Sequence, residues 1–124
     1  MRVASFKAPS GLLIDLDWLS KSLRTTKSEV VRRAIQETVE YVRKHSKLPR
    51  VTYTPIGDSA VISFKVDEGL LRDIDELAYK LSVPRSTLLR TAVYYYIAMY
   101  SKHYSPHEGR HVKVYIVGSR SPWR

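Results

Sequence analysis

Val61-Ile62-Ser63-Phe64-Lys65-Val66 decides the fold, because the same alternation stands 58 residues earlier in Val3-Ala4-Ser5-Phe6-Lys7-Ala8. In the later stretch Ile62, Phe64 and Val66 point one way and Val61, Ser63 and Lys65 the other, the two-residue period of a half-buried strand. In the earlier one Ala4, Phe6 and Ala8 oppose Val3, Ser5 and Lys7. Sliding the chain by 58 residues extends the match without a gap, and residues 3–45 and 61–103 agree at 16 of 43 positions. Ordinary composition gives about 3 by chance. The chain therefore reads as two fused copies of one short unit, residues 1–45 and 60–103, with a linker at 46–59 and an extension at 104–124.

After each strand the hydrophobic period becomes helical. Leu12, Leu16, Leu19 and Leu23 fall on one stripe, as do Leu70, Ile74, Leu77 and Leu81. Asp15, Asp17, Asp73, Asp75 and Glu76 lie early in these helices, where carboxylates suit the dipole. Asp15 and Asp17, like Asp73 and Asp75, are two apart and face different directions, so they read as solvated charges and not as a catalytic dyad. Breaks at Arg24-Thr25-Thr26 and Ser82-Val83-Pro84 precede a second helix in each copy. Thr26 and Glu29 have the spacing of a capping box; Pro84 replaces Thr26 in the second copy, where proline is tolerated at a helix start. Val31, Ala34, Ile35 and Val39, mirrored by Leu89, Ala92, Val93 and Ile97, supply the buried face.

One strand has no hydrogen-bond partner, and a unit of about 45 residues buries too little surface alone. The two copies are therefore expected to share a core. Antiparallel pairing of 3–8 with 61–66 places Phe6, Ile62, Phe64 and Val66 over four helices. It leaves Ser5, Lys7, Ser63 and Lys65 on the opposite face, a ribbon of the size that enters a DNA major groove. There Lys can donate to guanine, Ser can pair with several base edges, and Val3 or Val61 can meet a thymine methyl.

The order strand, helix, turn, helix resembles the ribbon-helix-helix DNA-binding family, whose members normally dimerise to build the ribbon. The likeness is carried by Val3-x-Ser5-Phe6-Lys7, Leu12-Leu13, Leu19, Thr26-Lys27-Ser28-Glu29, Arg32 and Ala34, and by Ser63-Phe64-Lys65, Leu70-Leu71, Leu77, Arg85-Ser86, Arg90 and Ala92. A tandem, single-chain version is similar to transcription regulators of archaeal viruses. The resemblance implies a mostly α fold with a small two-stranded antiparallel ribbon, arranged as a pseudo-dimer. It implies base readout by Val3, Ser5, Lys7, Val61, Ser63 and Lys65. It also implies phosphate contacts at the second-helix N-termini, from Thr26, Lys27 and Ser28 and from Arg85 and Ser86, in line with the affinity of helix N-termini for anions. Pro84 lacks an amide, so the second contact is expected to rest on Arg85 and Ser86.

Composition narrows the remaining choices. The chain has 124 residues, 44% hydrophobic, with a net charge of +9, which favours a polyanionic partner and excludes a disordered basic tail. Residues 1–50 carry +6, residues 51–102 are neutral and residues 103–124 carry +3. The first copy and the tail are thus expected to supply most of the phosphate attraction. Absent cysteines exclude disulfides, thiolate metal sites and cysteine nucleophiles, and fit an intracellular, cytoplasmic setting. No apolar run approaches the roughly 20 residues of a membrane span, and the start does not read as a signal peptide. No Ser/His/Asp arrangement, Gly-rich phosphate loop or HExxH motif appears, so neither an enzyme nor a cofactor is expected.

Other segments are less specific. Leu88 to Tyr100 carries only Arg90 as a charge, and its surplus aromatic surface, Tyr94, Tyr95, Tyr96 and Tyr100, suggests an interface that joins one molecule to the next in a homo-oligomer of pseudo-dimers. Val51-Thr52-Tyr53-Thr54 and His111 to Val117 have β character and are expected to pair. Residues 118–124 read as a basic end. His103, His107 and His111 recur every four residues, but Pro106 and Gly109 interrupt any helix that would align them, so a metal site is not expected. The expected activity is sequence-specific regulation of transcription on double-stranded DNA. Two alternatives are an antitoxin or plasmid-maintenance factor that wraps a partner protein with its C-terminal extension, and a structural protein that coats DNA without sequence preference.

Overall fold

In the computed structural model, which describes residues 1–53, 56–100 and 114–116, the elements run β1 (Arg2–Pro9), α1 (Ser10–Ser22), α2 (Lys27–His45), β2 (Val51–Tyr53), β3 (Ser59–Val66), α3 (Glu68–Leu81), α4 (Arg85–Tyr100) and β4 (Val114–Ile116). The chain is mostly helical. Strands β1 and β3 form a two-stranded antiparallel sheet in which Val3 faces Lys65, Ser5 faces Ser63 and Lys7 faces Val61. The central pair thus consists of residues 58 apart, the offset of the sequence repeat.

Alternation puts Ala4, Phe6 and Ala8 and Ile62, Phe64 and Val66 under the sheet, all buried. Phe6 and Phe64 meet edge to face, ring centroids 6.1 Å apart, a geometry that contributes about 1 kcal/mol beyond area burial. Helices α2 and α4 pack against each other beneath the sheet, α2 also against β3 and α4 also against β1. Leu12, Leu16, Val30, Val31, Ala34, Leu89, Ala92 and Val93 join the two phenylalanines in one core. No helix among the described residues is long and apolar enough to cross a membrane.

The helix starts are satisfied in different ways. Thr26 Oγ1 accepts from the Glu29 amide at 3.1 Å, as the spacing of a capping box requires. Among the described residues no return bond from Glu29 is found, because its carboxylate is held by Arg32 and Arg33. The Asp67 carboxylate caps α3 by accepting from the Leu70 amide at 2.7 Å. Helix α1 follows Pro9, which has no side-chain cap, and the linker substitutes. Ser10 N donates to the Asp58 carbonyl at 2.7 Å and Gly11 N to the Ile56 carbonyl at 2.8 Å. Between these carbonyls Gly57 has φ +87°, and a Cβ there would collide with Ser10 Oγ.

Strand β2 pairs antiparallel with β4, Val51 opposite Ile116 and Tyr53 opposite Val114, and both pack against α4. This is the pairing expected between the linker and the C-terminal segment. It changes the reading of α4. Tyr95 and Tyr96 are buried inside the chain, and Tyr94 and Tyr100 are half-buried against the core. The ring of Tyr41 on α2 meets Tyr95 at 5.4 Å, and burial pushes the Tyr96 phenol up to about 12. Tyr95 and Tyr96 therefore offer no surface to a second molecule, while Tyr94 and Tyr100 keep part of theirs.

Two further expectations need correction. Asp15 is buried and not solvated: with Trp18 and Leu19 it lies on the side of α1 that faces Ile97 and Tyr100 of α4. The stripe of α3 is only partly covered, with Ile74 buried and Leu70, Leu77 and Leu81 half-buried. At the α1–α4 junction Trp18 and Tyr100 close the space. Equivalent positions at the α2–α3 junction hold Glu76 and Val42, and an open groove of about 480 Å³ remains.

Thr38, on α2, is 1% exposed and its hydroxyl has no partner among the described residues. A buried, unsatisfied hydroxyl costs about 1–3 kcal/mol. Thr38→Val, which keeps the shape, should raise stability by about 1 kcal/mol, measured as a higher midpoint of chemical unfolding at unchanged m-value. An unchanged or lowered midpoint would contradict this account of Thr38.

Candidate nucleic-acid interface

The outward face of the β1–β3 sheet carries the residues singled out for base contact. Val3, Ser5, Lys7, Val61, Ser63 and Lys65 are all exposed, Val3 at 68% and Val61 at 58%. Two valines this exposed contribute nothing to the core, so their presence on a polar ribbon is not a folding requirement. Ser5 Oγ and Ser63 Oγ are hydrogen-bonded to each other at 2.8 Å across the centre. One hydroxyl donates in that bond, so the pair retains one proton and several lone pairs for an outside partner.

Two arginines brace the ribbon from below. Arg32 Nη1 donates to the Lys65 carbonyl at 2.8 Å, and Arg90 Nη1 donates to the Lys7 carbonyl at 3.0 Å. Donors and acceptors are both related by the 58-residue offset, so each copy's second helix holds the other copy's strand at the residue bearing the outward lysine. The remaining nitrogens are fixed in equivalent places. Arg32 Nε and Nη2 donate to Glu29 Oε1 at 3.1 and 2.8 Å, and Arg90 Nη2 donates to Thr87 Oγ1 at 3.3 Å. Hydrogen bonding from Arg32 holds the Glu29 carboxyl below the usual glutamate range. The stabilisation from this pairing is full above that range and is lost as pH falls through the lowered value.

Sequence reasoning missed this role. Arg32 and Arg90 match at the repeat offset and were legible as shared residues. Their neighbours on a mostly apolar helix face gave no reason to aim them at a strand carbonyl in the other copy.

The second-helix N-termini lie beside the ribbon, but their side chains divide differently from expectation. Ser28 Oγ, expected on phosphate, accepts from the Lys65 amide at 3.2 Å and so joins the brace. Thr26 Oγ1 is engaged by the Glu29 amide. Lys27 remains exposed, its Nζ 3.9 Å from Asp17 Oδ1. At α4, Arg85 is exposed and Ser86 half-buried. The amides that open a helix have no acceptors within it, and such ends attract anions. The start of α1 is different, because the linker carbonyls of Ile56 and Asp58 already occupy it.

The positive charge of the first copy is also less concentrated than its sum suggests. Arg43, Lys44, Lys47 and Arg50 lie at or beyond the far end of α2. That end is roughly 28 Å from the Lys27 end at about 1.5 Å per residue. Arg43 and Lys44, in the last turn, complement the helix dipole at the end of α2 away from Lys27. His103, His107, His111 and the basic end at 118–124 lie outside the described residues. Among the described residues no cluster of His, Cys, Asp and Glu can hold a metal ion.

Replacing Arg32 or Arg90 with Met, which keeps the aliphatic stem, should cost about 1–2 kcal/mol each. Amide hydrogen exchange should accelerate in the braced strand, around Lys65 for Arg32→Met and around Lys7 for Arg90→Met. Exchange unaltered in both strands would contradict the bracing role. Comparison of the chain with known proteins finds no matching family model, no matching curated protein and no matching solved structure.

Proposed function

We propose that this chain is a tandem ribbon-helix-helix pseudo-dimer that binds double-stranded DNA sequence-specifically and regulates transcription. The observation that carries the reading is the outward ribbon face, with Val, Ser and Lys on each strand placed in a register that repeats about the Ser5–Ser63 pair. A two-stranded ribbon fits the major groove, which is about 12 Å wide. In that placement Lys7 and Lys65 donate to guanine O6 or N7, the central serines meet base edges, and the valines contact thymine methyls. The open ends of α2 and α4 then approach flanking phosphates, where they fix register without reading sequence.

The cross-braces from Arg32 and Arg90 support the same reading. They hold the strand backbone at the two lysines, so those side chains meet DNA from a fixed base and less of the binding energy is lost to ordering the ribbon. Because both strands present the same outward residues, the preferred site is a near-palindrome centred under Ser5 and Ser63. A coating protein without sequence preference would not require this matching of exposed residues on two strands.

Selection of bound sequences from random duplexes, carried out at two salt concentrations, tests the proposal. A defined, near-palindromic consensus is expected. Replacing both Lys7 and Lys65 with Ala should abolish discrimination between consensus and random DNA while leaving the fold intact, because both side chains lie outside the core. Lys27→Ala should instead weaken all duplexes alike and reduce the salt slope by about one. Specificity that survives loss of both ribbon lysines would remove the ribbon as the reader.

A further inference from the structure

The cations at the starts of α2 and α4, Lys27 and Arg85, stand at equivalent positions of the repeat, and so do the carboxylates that face them, Asp17 and Asp75. Their geometries differ. Arg85 Nε donates to Asp75 Oδ1 at 2.7 Å and Arg85 Nη2 to Asp75 Oδ2 at 2.9 Å, a closed two-point fork. Lys27 Nζ lies 3.9 Å from Asp17 Oδ1, while the other Asp17 oxygen is 3.0 Å from Lys21 Nζ. Lys21 keeps the Asp17 carboxyl below its ordinary range.

At the first corner two cations share one carboxylate. At the second corner the position equivalent to Lys21 is Tyr79, which is 89% exposed, and Arg85 and Asp75 neutralise each other. Pro84 removes one amide from the same corner. The second corner therefore has neither the net charge nor the full set of backbone donors that the first one has.

A carboxylate and a phosphate present two oxygens to a guanidinium in the same fork geometry. We infer that Asp75 is an intramolecular competitor for DNA phosphate: it holds Arg85 closed in the free protein, must be displaced when the flank docks, and thereby limits affinity at that flank. The inference rests on the proposed contact of the α4 N-terminus with phosphate. Folding does not require the pair, since both side chains are about half exposed and such ion pairs contribute little to stability.

The test uses the full chain, its Asp75→Asn, Arg85→Ala and Asp75→Asn/Arg85→Ala variants, and Asp73→Asn as a control. Asp73 carries the same charge on the same helix without meeting Arg85. Each is titrated with a selected duplex and with a random one of equal length at two salt concentrations. Asp75→Asn should bind both duplexes about three- to tenfold more tightly, with a salt slope steeper by about one, the signature of one more phosphate contact. Adding Arg85→Ala should remove that gain, and Asp73→Asn should leave the slope unchanged. A gain that survives Arg85→Ala, or an equal change in slope from Asp73→Asn, overturns the inference. So does normal duplex binding with no gain in Asp75→Asn, which leaves the DNA-binding reading intact. Failure of every form to bind duplex at low salt overturns both.

Discussion

Everything in this molecule depends on the backbone pairing of β1 with β3. Neither strand has another strand as partner: among the described residues β1 pairs only with β3, and the second sheet is made of β2 and β4. An unpaired strand would leave a row of amides and carbonyls to be satisfied over a hydrophobic core. Pairing solves that problem, and the alternation of side chains then fixes the register, because a one-residue slip of β1 would turn Phe6 toward solvent and Ser5 into the core. The core face and the outward face are thus set by one event.

The arginine braces follow from the same geometry. A carbonyl pointing away from a two-stranded ribbon has no third strand to bond, and a guanidinium from the helix below fills that place at Lys65 and at Lys7. The arrangement couples a folding need to a surface property. The bond that satisfies the strand also fixes the backbone from which each outward lysine projects.

Much of this was legible in the sequence, for reasons that also mark where legibility ended. The strand period of Val61 to Val66, the helical stripe of Leu12 to Leu23 and the Thr26–Glu29 spacing are local patterns, and local patterns predict the elements and the faces they bury. The repeat then supplied the non-local step, because two equivalent strands without partners have one economical solution. What stayed hidden depended on contacts between segments far apart in the chain. Asp15 is buried through the meeting of α1 with Ile97 and Tyr100. Tyr95 and Tyr96 of α4, which resemble an interface in one dimension, are buried within the chain, Tyr95 against Tyr41 of α2. Ser28 bonds to a strand 37 residues away, and no spacing rule anticipates that.

Fusion into one chain explains why the two copies differ where they do. Identical subunits must change together, whereas fused copies can diverge wherever the shared ribbon does not constrain them. The outward residues remain Val, Ser and Lys on both strands, and the bracing arginines remain Arg on both second helices. The start of α1 has passed to the linker while α3 keeps a carboxylate cap. Trp18 and Tyr100 fill a junction that is left open between α2 and α3. Lys21 has no charged counterpart at Tyr79, and Lys27 is loosely paired where Arg85 is closed by Asp75. The positions identical in both copies include the outward ribbon residues and the bracing arginines, and also Gly11, Asp15, Asp17 and Leu23 with their counterparts in the first-helix segments. Val3, Lys7, Val61 and Lys65 thus stay matched on the exposed face of the sheet while the caps, junctions and ion pairs around it differ.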